Sequence, residues 1–443
     1  MYNVCNNLSE DRLRVLSERP VGKGYVLYWM VANRRTRYNP ALARAVEWSR
    51  LLQRPLIVAE AVSTRTPHAS LRTLQPILDG MEDQATAFKA AGVPYAGLVD
   101  PWIEDVALMA RGAAVVVTDD HPGRLYRAVL ANLANLPCRV EAIDGVGVVP
   151  LGHMTRAWKR AADFRRHRHV PSQPVLENPL EGHAQPPGEV PNLKHKPRLN
   201  VAGPGPGWTR GGQTRALELL QAFDPTRYAE GRNHPDRDAE SHLSAHLHFG
   251  HIAPQELVAA IDEPTLLDQL LTWRELAHNT ARWLPDFDRY ESLPPWAKQT
   301  LDDHRGDPRE VLPFETLEQG KTGDEVWDAA QRQLVTEGRM PNSVRMLWGK
   351  RVLTWSATPE QAWERLFTLN DRYAMDGRDP NSVAGISWCF GRYDRPWPTR
   401  AVFGKVRCMT SASSRRKWKM REWMAHWLKP RQPELFGARA TGK

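Results

Sequence analysis

The hydrophobic pattern of this chain changes period once, near residue 208, and that change divides it into two kinds of structure. Before it, short continuous apolar runs alternate with amphipathic stretches. YVLYWMV (25–31), LIVAEAV (56–62) and AAVVVTDD (113–120) are long enough for buried strands and too short for helices. Between them, PALARAVEWSRLL (40–52) and SLRTLQPILDGMEDQATAFKAAG (70–92) repeat at helical spacing. Strands alternating with helices predict a parallel sheet with helices on both faces, over residues 25–150. Beyond Trp208 the strand-type runs vanish. TRALELLQAF, TLLDQLLTWRELAHNTARW, EVWDAAQRQLV and TPEQAWERLFTLNDRY all follow the helical period. Residues 163–207 between the two are rich in Pro, Gly, His and Arg without apolar period, and read as a linker over the surface.

A chain of 443 residues exceeds one ordinary core, so two or three domains are expected. No apolar run reaches the roughly 18 residues a membrane crossing needs, and MYNVCNNLSEDRLR lacks an apolar signal core. The four cysteines, Cys5, Cys138, Cys389 and Cys408, are scattered with no C-x-x-C pair. That favours a reducing cytoplasm and no iron–sulfur or zinc site. The irregularly spaced linker histidines give no metal set either. No G-x-G-x-x-G follows the first strand, and the GPGPG run (203–207) follows no strand and is broken by prolines, so a dinucleotide fingerprint is absent.

Two quantities stand out. The formal net charge is +9, and residues 401–443 hold 11 Lys/Arg against Glu422 and Glu434, so the whole excess lies in this last stretch. A localised basic segment attracts phosphate polyanions by counterion release, although a solvated tail reads the same way. The chain also carries 17 Trp against 10 Phe and 10 Tyr, and 13 of those Trp lie at or beyond position 208. In MLWGKRVLTW (346–355), Trp348 and Trp355 sit about two helical turns apart, on one face roughly 10 Å from each other. Large aromatics at that spacing usually fill a core. SHLSAHLHFGHI (241–252) offers hydroxyls and amides near a helix start, suited to a pyrophosphate or simply to a Ser-capped helix.

Taken together, WRELAHN (273–279), GRMPNSVRMLWGKRVLTW (338–355), LNDRYAMDGRDPNSVAGISW (369–388) and RPWPTRAVFGKVRCM (395–409), in this order, resemble the photolyase/cryptochrome superfamily. The W-G-K-R-V-L-T-W, LND-x-Y-x-x-DGRDPN and RP…F-GK-x-R runs are similar to those of class II cyclobutane pyrimidine dimer photolyases, as is the opening YVLYWMVANRRTRYNPAL. Nearly the whole chain is covered, apart from the linker and the last 15 or so residues. The resemblance implies a Rossmann-like α/β antenna domain (1–162), the linker (163–207), and a mostly helical FAD- and DNA-binding domain (208–443) with the basic segment at its end. It implies a carbon–carbon lyase acting as a monomer in the cytoplasm on UV-damaged DNA whose dimer is flipped out of the duplex. The cofactor is FAD, with deazaflavin or folate as a possible second antenna chromophore that no motif selects.

Residue by residue, the resemblance makes Trp348 the indole nearest the flavin, with Trp327 and Trp355 as outward links that carry electrons to it. Tyr228, Ser241, Leu243 and Ser244 match the phosphate-contacting stretch. Asn370 matches the residue at the flavin's N5 edge, and Arg345 and Asp376 bracket the isoalloxazine. On the substrate side Trp273 and Trp388 match indole walls for the dimer, Met346 a soft floor, and Asn342 a hydrogen-bonding edge. Arg407 matches the side chain that enters the gap in the duplex, and Arg415, Arg416 and Lys417 grip phosphates.

The chain departs from the pattern at two places. Relatives carry an acid one turn before the WREL-type run, where it hydrogen-bonds a thymine carbonyl. Here Gln269 stands there, with Asp268 beside it and Glu275 assigned to a structural Arg–Glu pair. A glutamine donates a hydrogen bond but gives up no proton. Ala245 and His246 replace a usual Pro and aromatic. Three functions follow in order: a light-driven repair enzyme, a flavin-binding light sensor with weak or no repair, and a helical DNA-binding protein without cofactor.

Overall fold

The computed structural model describes residues 8–100, 102–171, 175–191 and 199–429. Cys5, parts of the linker and the basic residues beyond 429 therefore lie outside the described residues. The α/β part holds β1 (Leu13–Ser17), β2 (Tyr25–Met30), β3 (Leu56–Val62), β4 (Tyr95–Val99), β5 (Ala113–Asp119) and β6 (Arg139–Ile143). They form one sheet in the order β1-β6-β5-β2-β3-β4. All pairings are parallel except the edge strand β1, which runs antiparallel to β6. The helices are α1 (Pro40–Leu52), α2 (Leu71–Ala90), α3 (Trp102–Arg111) and α4 (Arg124–Leu133). β2 and β5 are buried along their whole length, as strands covered on both faces must be, which is why they read as unbroken apolar runs. β1, β4 and β6 escape a sequence reading because each is only five residues long, and charge interrupts LRVLS and RVEAI besides. Glu141 of β6 is nevertheless fully buried, accepting bonds from Arg44, Arg139 and the Trp48 indole.

The C-terminal part is helical throughout its described length, with only an isolated bridge between Arg400 and Gly404. The residues read as linker begin in a short helix (Ala161–His167), and the described remainder follows the α/β surface. Gln185 exchanges hydrogen bonds with the Leu56 backbone there.

Several buried contacts lock the two parts together. Arg72 of α2 sends its guanidinium to the carbonyls of Leu334, Val335 and Thr336, at the end of the helix Glu325–Glu337, and to those of Tyr373 and Gly205. Helix C-terminal carbonyls lack intrahelical partners and carry partial negative charge, so a buried cation suits them. Gly250 shows how close the parts come. Its φ of +76° caps a helix, and a Cβ there would lie 1.7 Å from the Ala32 carbonyl oxygen. Glu275 accepts the Val148 amide at 2.8 Å, while its distance to Arg274 is 3.9 Å, so the expected Arg–Glu pair is mainly an anchor for the 146–148 loop. Burial pushes the Glu275 carboxyl up to about 7.

Candidate functional site

One cavity of about 200 Å³ lies inside the helical part. Tyr228, Ser241, Ser244, Gln269, Asn342, Arg345 and Asp376 all line it, though they come from segments more than 100 residues apart. Burial pushes the Tyr228 phenol up to about 12, so it stays a hydrogen-bond donor at neutral pH. Leu243, by contrast, is fully buried among apolar side chains behind Ser241 and does not face the cavity. An apolar side chain between two wall-lining serines turns inward because one face of this turn meets the core.

Arg345 and Asp376 stand side by side as an ion pair on the cavity wall. Both oxygens of Asp376 accept from the Arg345 guanidinium at 2.9 Å. The guanidinium also donates to Asn370 Oδ1 at 2.8 Å and to Ser382 Oγ at 3.0 Å. Asn370 is thus buried beneath the arginine, its own amide spent on Asp371, and it is not among the cavity-lining residues. Asn381, in the DPN of the same motif, does line it. The sequence reading missed Asn381, together with Arg232, Glu240, Arg339 and Trp208 on the same wall. The donor set fits a dinucleotide: hydroxyls and guanidinium groups for phosphates, and an amide beside a fixed Arg–carboxylate pair for a polar heterocyclic edge.

Gln269 reaches this cavity through an unusual backbone. Residues Gln269–Arg274 form one over-wide helical turn between the helices Pro264–Asp268 and Glu275–Trp283. Such turns concentrate at functional sites. Asp268, one residue earlier, is bound to Arg165 and Thr272 and does not line the cavity. The residue facing the cavity is therefore the amide, not the neighbouring acid.

The indoles form a column. Trp348 and Trp327 stack with centroids 6.2 Å apart and planes 11° from parallel, and Trp327 meets Trp355 edge-on at 5.3 Å. The Trp327 indole donates to the Trp348 carbonyl at 2.9 Å, and the Trp348 indole donates to Gln331. Trp348 and Trp355 lie on one helix and its cap (Asn342–Thr354, then Trp355), yet have no ring contact with each other among the described residues. Trp327 is the bridge. At the far end the Arg351 guanidinium lies 4.5 Å over Trp355. Arg345, three residues before Trp348 on the same helix, lines the cavity, and Trp348 sits behind that wall in the core.

Trp273 and Trp388 do not stand as two separated walls. They stack directly, 4.5 Å apart and 19° from parallel, because two half-buried indoles remove more apolar surface from water together than apart. Met346 is partly buried against the same core as the indole column. Arg407 lies 5.0 Å over the exposed ring of Trp397, an aromatic that the sequence reading passed over inside RPWPTR. Arg415 pairs with Glu325, whereas Arg416 and Lys417 are exposed, the Lys417 ammonium 5.2 Å over Trp418.

A second, larger cavity of about 480 Å³ lies between the two parts. Val31, Val62, Ser63 and Gly123 bring it to the carboxyl ends of β2, β3 and β5, and Phe249, Trp363 and Phe367 close it from the helical side. The strand order reverses between β2 and β5, the usual ligand crevice of a doubly wound sheet. Beside it, His121, His278 and Asp379 form a buried cluster. His121 Nδ1 accepts the Gly123 amide, so a neutral ring carries its proton on Nε2 and cannot offer that nitrogen to a metal.

No family model matches the chain. It is 32% identical over 440 residues to the deoxyribodipyrimidine photo-lyase of Methanothermobacter thermautotrophicus, spanning 94% of this chain and 97% of that one. It is 32% identical over 446 residues to the protein of the same name from Oryza sativa subsp. japonica, covering 91% and 87% of the two chains. In fold it is similar to an archaeal photolyase from Sulfolobus tokodaii, described with two FAD molecules and a novel light-harvesting cofactor. The TM-score there is 0.68 at 15% identity, over 91% of this chain and 90% of that one.

Proposed function

The chain belongs to the photolyase/cryptochrome family of deoxyribodipyrimidine photo-lyases, and from that premise we propose that it is a class II enzyme splitting cyclobutane pyrimidine dimers in DNA under light. The observation that carries this is the ordered column Trp348–Trp327–Trp355, whose first member stands three residues along the helix from the cavity-lining Arg345. FAD bound in that cavity supplies a light-absorbing centre able to give an electron when reduced and to take one when oxidised.

The protein's part is binding, orientation and electrostatics. Ser241, Ser244, Tyr228 and Arg232 hold the phosphate end. Arg345, fixed by Asp376 and Asn370, presents an immobile guanidinium edge to the ring system, with Asn381 beside it. The indoles are shielded from water and delocalise a positive charge, so an electron drawn from Trp348 is replaced through Trp327 from Trp355. On the substrate side, the Trp273–Trp388 stack gives a flat apolar surface to a flipped-out dimer. Gln269 donates an amide hydrogen bond to a pyrimidine carbonyl, which stabilises negative charge there as the extra electron arrives. Arg407, backed by Trp397, enters the duplex, and Arg416 and Lys417 hold phosphates. The cavity at the carboxyl ends of β2, β3 and β5 takes the second, antenna chromophore, a flat deazaflavin or folate ring system. Among the described residues no helix is long and apolar enough to cross a membrane.

A second reading, a light sensor with little repair, is favoured by one feature, the amide of Gln269 where relatives carry an acid. Illumination of the reduced protein with a dimer-containing oligonucleotide separates the two. Restored thymines in proportion to light dose support repair, and unchanged lesions with intact flavin photochemistry support sensing.

A further inference from the structure

Glu240 is out of place on a wall built to hold an anion. It lines the same cavity as Ser241, Ser244, Arg232 and Tyr228, and immediately precedes the serine pair assigned to phosphates. One of its oxygens accepts the Asn342 amide at 2.6 Å, which fixes the carboxyl against the start of the helix Asn342–Thr354. Among the described residues no second hydrogen bond and no ion pair within 4 Å reaches this side chain. The nearby cations are committed elsewhere: Arg339 to Asp238 and Glu337, and Arg345 to Asp376. An ionised carboxylate would stand unpaired in a half-enclosed cavity and would repel a pyrophosphate brought in beside it.

We infer that Glu240 serves the dinucleotide site as a neutral carboxylic acid, its free oxygen donating a hydrogen bond to the phosphate end of the bound cofactor. This rests on the cavity being the FAD site. The groups around it agree. Burial raises the Glu240 carboxyl, and Asp238 raises it further, against the lowering by the Asn342 amide, Arg339 and Arg345, leaving it at about 7. His242 on the same loop is held below its usual range by burial and by Arg339, so it stays neutral at neutral pH. The diphosphate bridge of FAD, with one negative charge on each phosphate, moves the carboxyl higher still when it enters next to Glu240, so binding takes up a proton from solvent. The sign follows: affinity is full below the free-site value near 7 and is lost as the pH rises from there toward the bound-site value.

The test uses full-length protein and FAD itself. Holoprotein is diluted at pH values from 6 to 8.5 at constant ionic strength, and released FAD is read by its fluorescence. With the bound carboxyl kept protonated by the phosphates, affinity should fall roughly tenfold between pH 6 and 8. Glu240→Gln, whose amide donates at every pH, should remove that slope and bind more tightly than the parent at pH 8. If the variant fails to fold, calorimetry of the parent in two buffers of different ionisation enthalpy reads the same linkage, with roughly 0.9 proton taken up per FAD at pH 8 and 0.1 at pH 6. Flat affinity with no proton uptake, or an unchanged slope in Glu240→Gln, overturns the role of Glu240 while leaving the cavity as the flavin site. Failure of FAD to bind at any pH overturns the site assignment itself.

Discussion

Trp327→Phe tests the electron path at the link that tertiary structure singles out. Trp327 is fully buried and touches both other indoles, whereas Trp348 and Trp355 do not touch each other. Removing the benzo ring leaves a void of about 40 Å³, costing about 1 kcal/mol. Losing the hydrogen bond from its indole to the Trp348 carbonyl costs about 1 kcal/mol more. A total of about 2 kcal/mol lowers Tm by roughly 4–8 °C, so the variant should remain folded. It should also keep its flavin, because Trp327 does not line the cavity. A phenyl ring gives up an electron less readily than an indole, and a hop whose barrier rises by about 3 kcal/mol slows more than 100-fold. Photoreduction by an external thiol under blue light, followed by loss of oxidised-flavin absorbance, should therefore collapse while FAD content holds. Trp363→Phe is the matched control. Trp363 packs on Tyr290, Phe367 and Phe390 and has no ring contact with the three column indoles among the described residues, so its variant should lose the void cost of about 1 kcal/mol and keep photoreduction. Unimpaired photoreduction in Trp327→Phe, or equal loss in both variants, would refute the ordered column.

Gln269→Glu should raise repair per absorbed photon several-fold at unchanged FAD content, since a protonated acid donates a bond stronger by about 1 kcal/mol than an amide does. Equal yields in the two proteins would sink that role. Replacing both Arg416 and Lys417 by Ala should reduce the slope of log affinity against log salt by about 1.8 for any DNA duplex, which titrations between low and moderate salt would detect. An unchanged slope would place the DNA elsewhere. Arg72→Ala strips a cation from three helix-end carbonyls and two further ones, and should cost about 3 kcal/mol, read as an early thermal transition. A two-state curve at the parent's Tm would show that the contact contributes little.

The sequence by itself determined which segments become strands and helices where the pattern was long and pure. Tyr25–Met30, Pro40–Leu52, Leu56–Val62 and Ala113–Asp119 follow from unbroken apolar runs and helical spacing, because burial on two faces or on one stripe writes itself into a local period. It also supplied the ordered motifs that resemble a family, and with them a minority of the cavity wall: Tyr228, Ser241, Ser244, Gln269, Asn342, Arg345 and Asp376. What those faces meet was decided only by tertiary structure. Helical spacing put Trp348 and Trp355 on one face and the resemblance named Trp327 as a further link, but only the fold shows that Trp327, on another helix, touches both of the others. Motif position offered Asn370 to the flavin, yet its amide supports Arg345 from beneath while Asn381 faces the cavity. No local pattern singled out Glu240, which the fold sets beside Ser241, Arg232 and the Asn342 amide. A period records which side of an element leaves water. Which side chain it then touches depends on chain crossings between residues a hundred positions apart, and no local pattern carries that information.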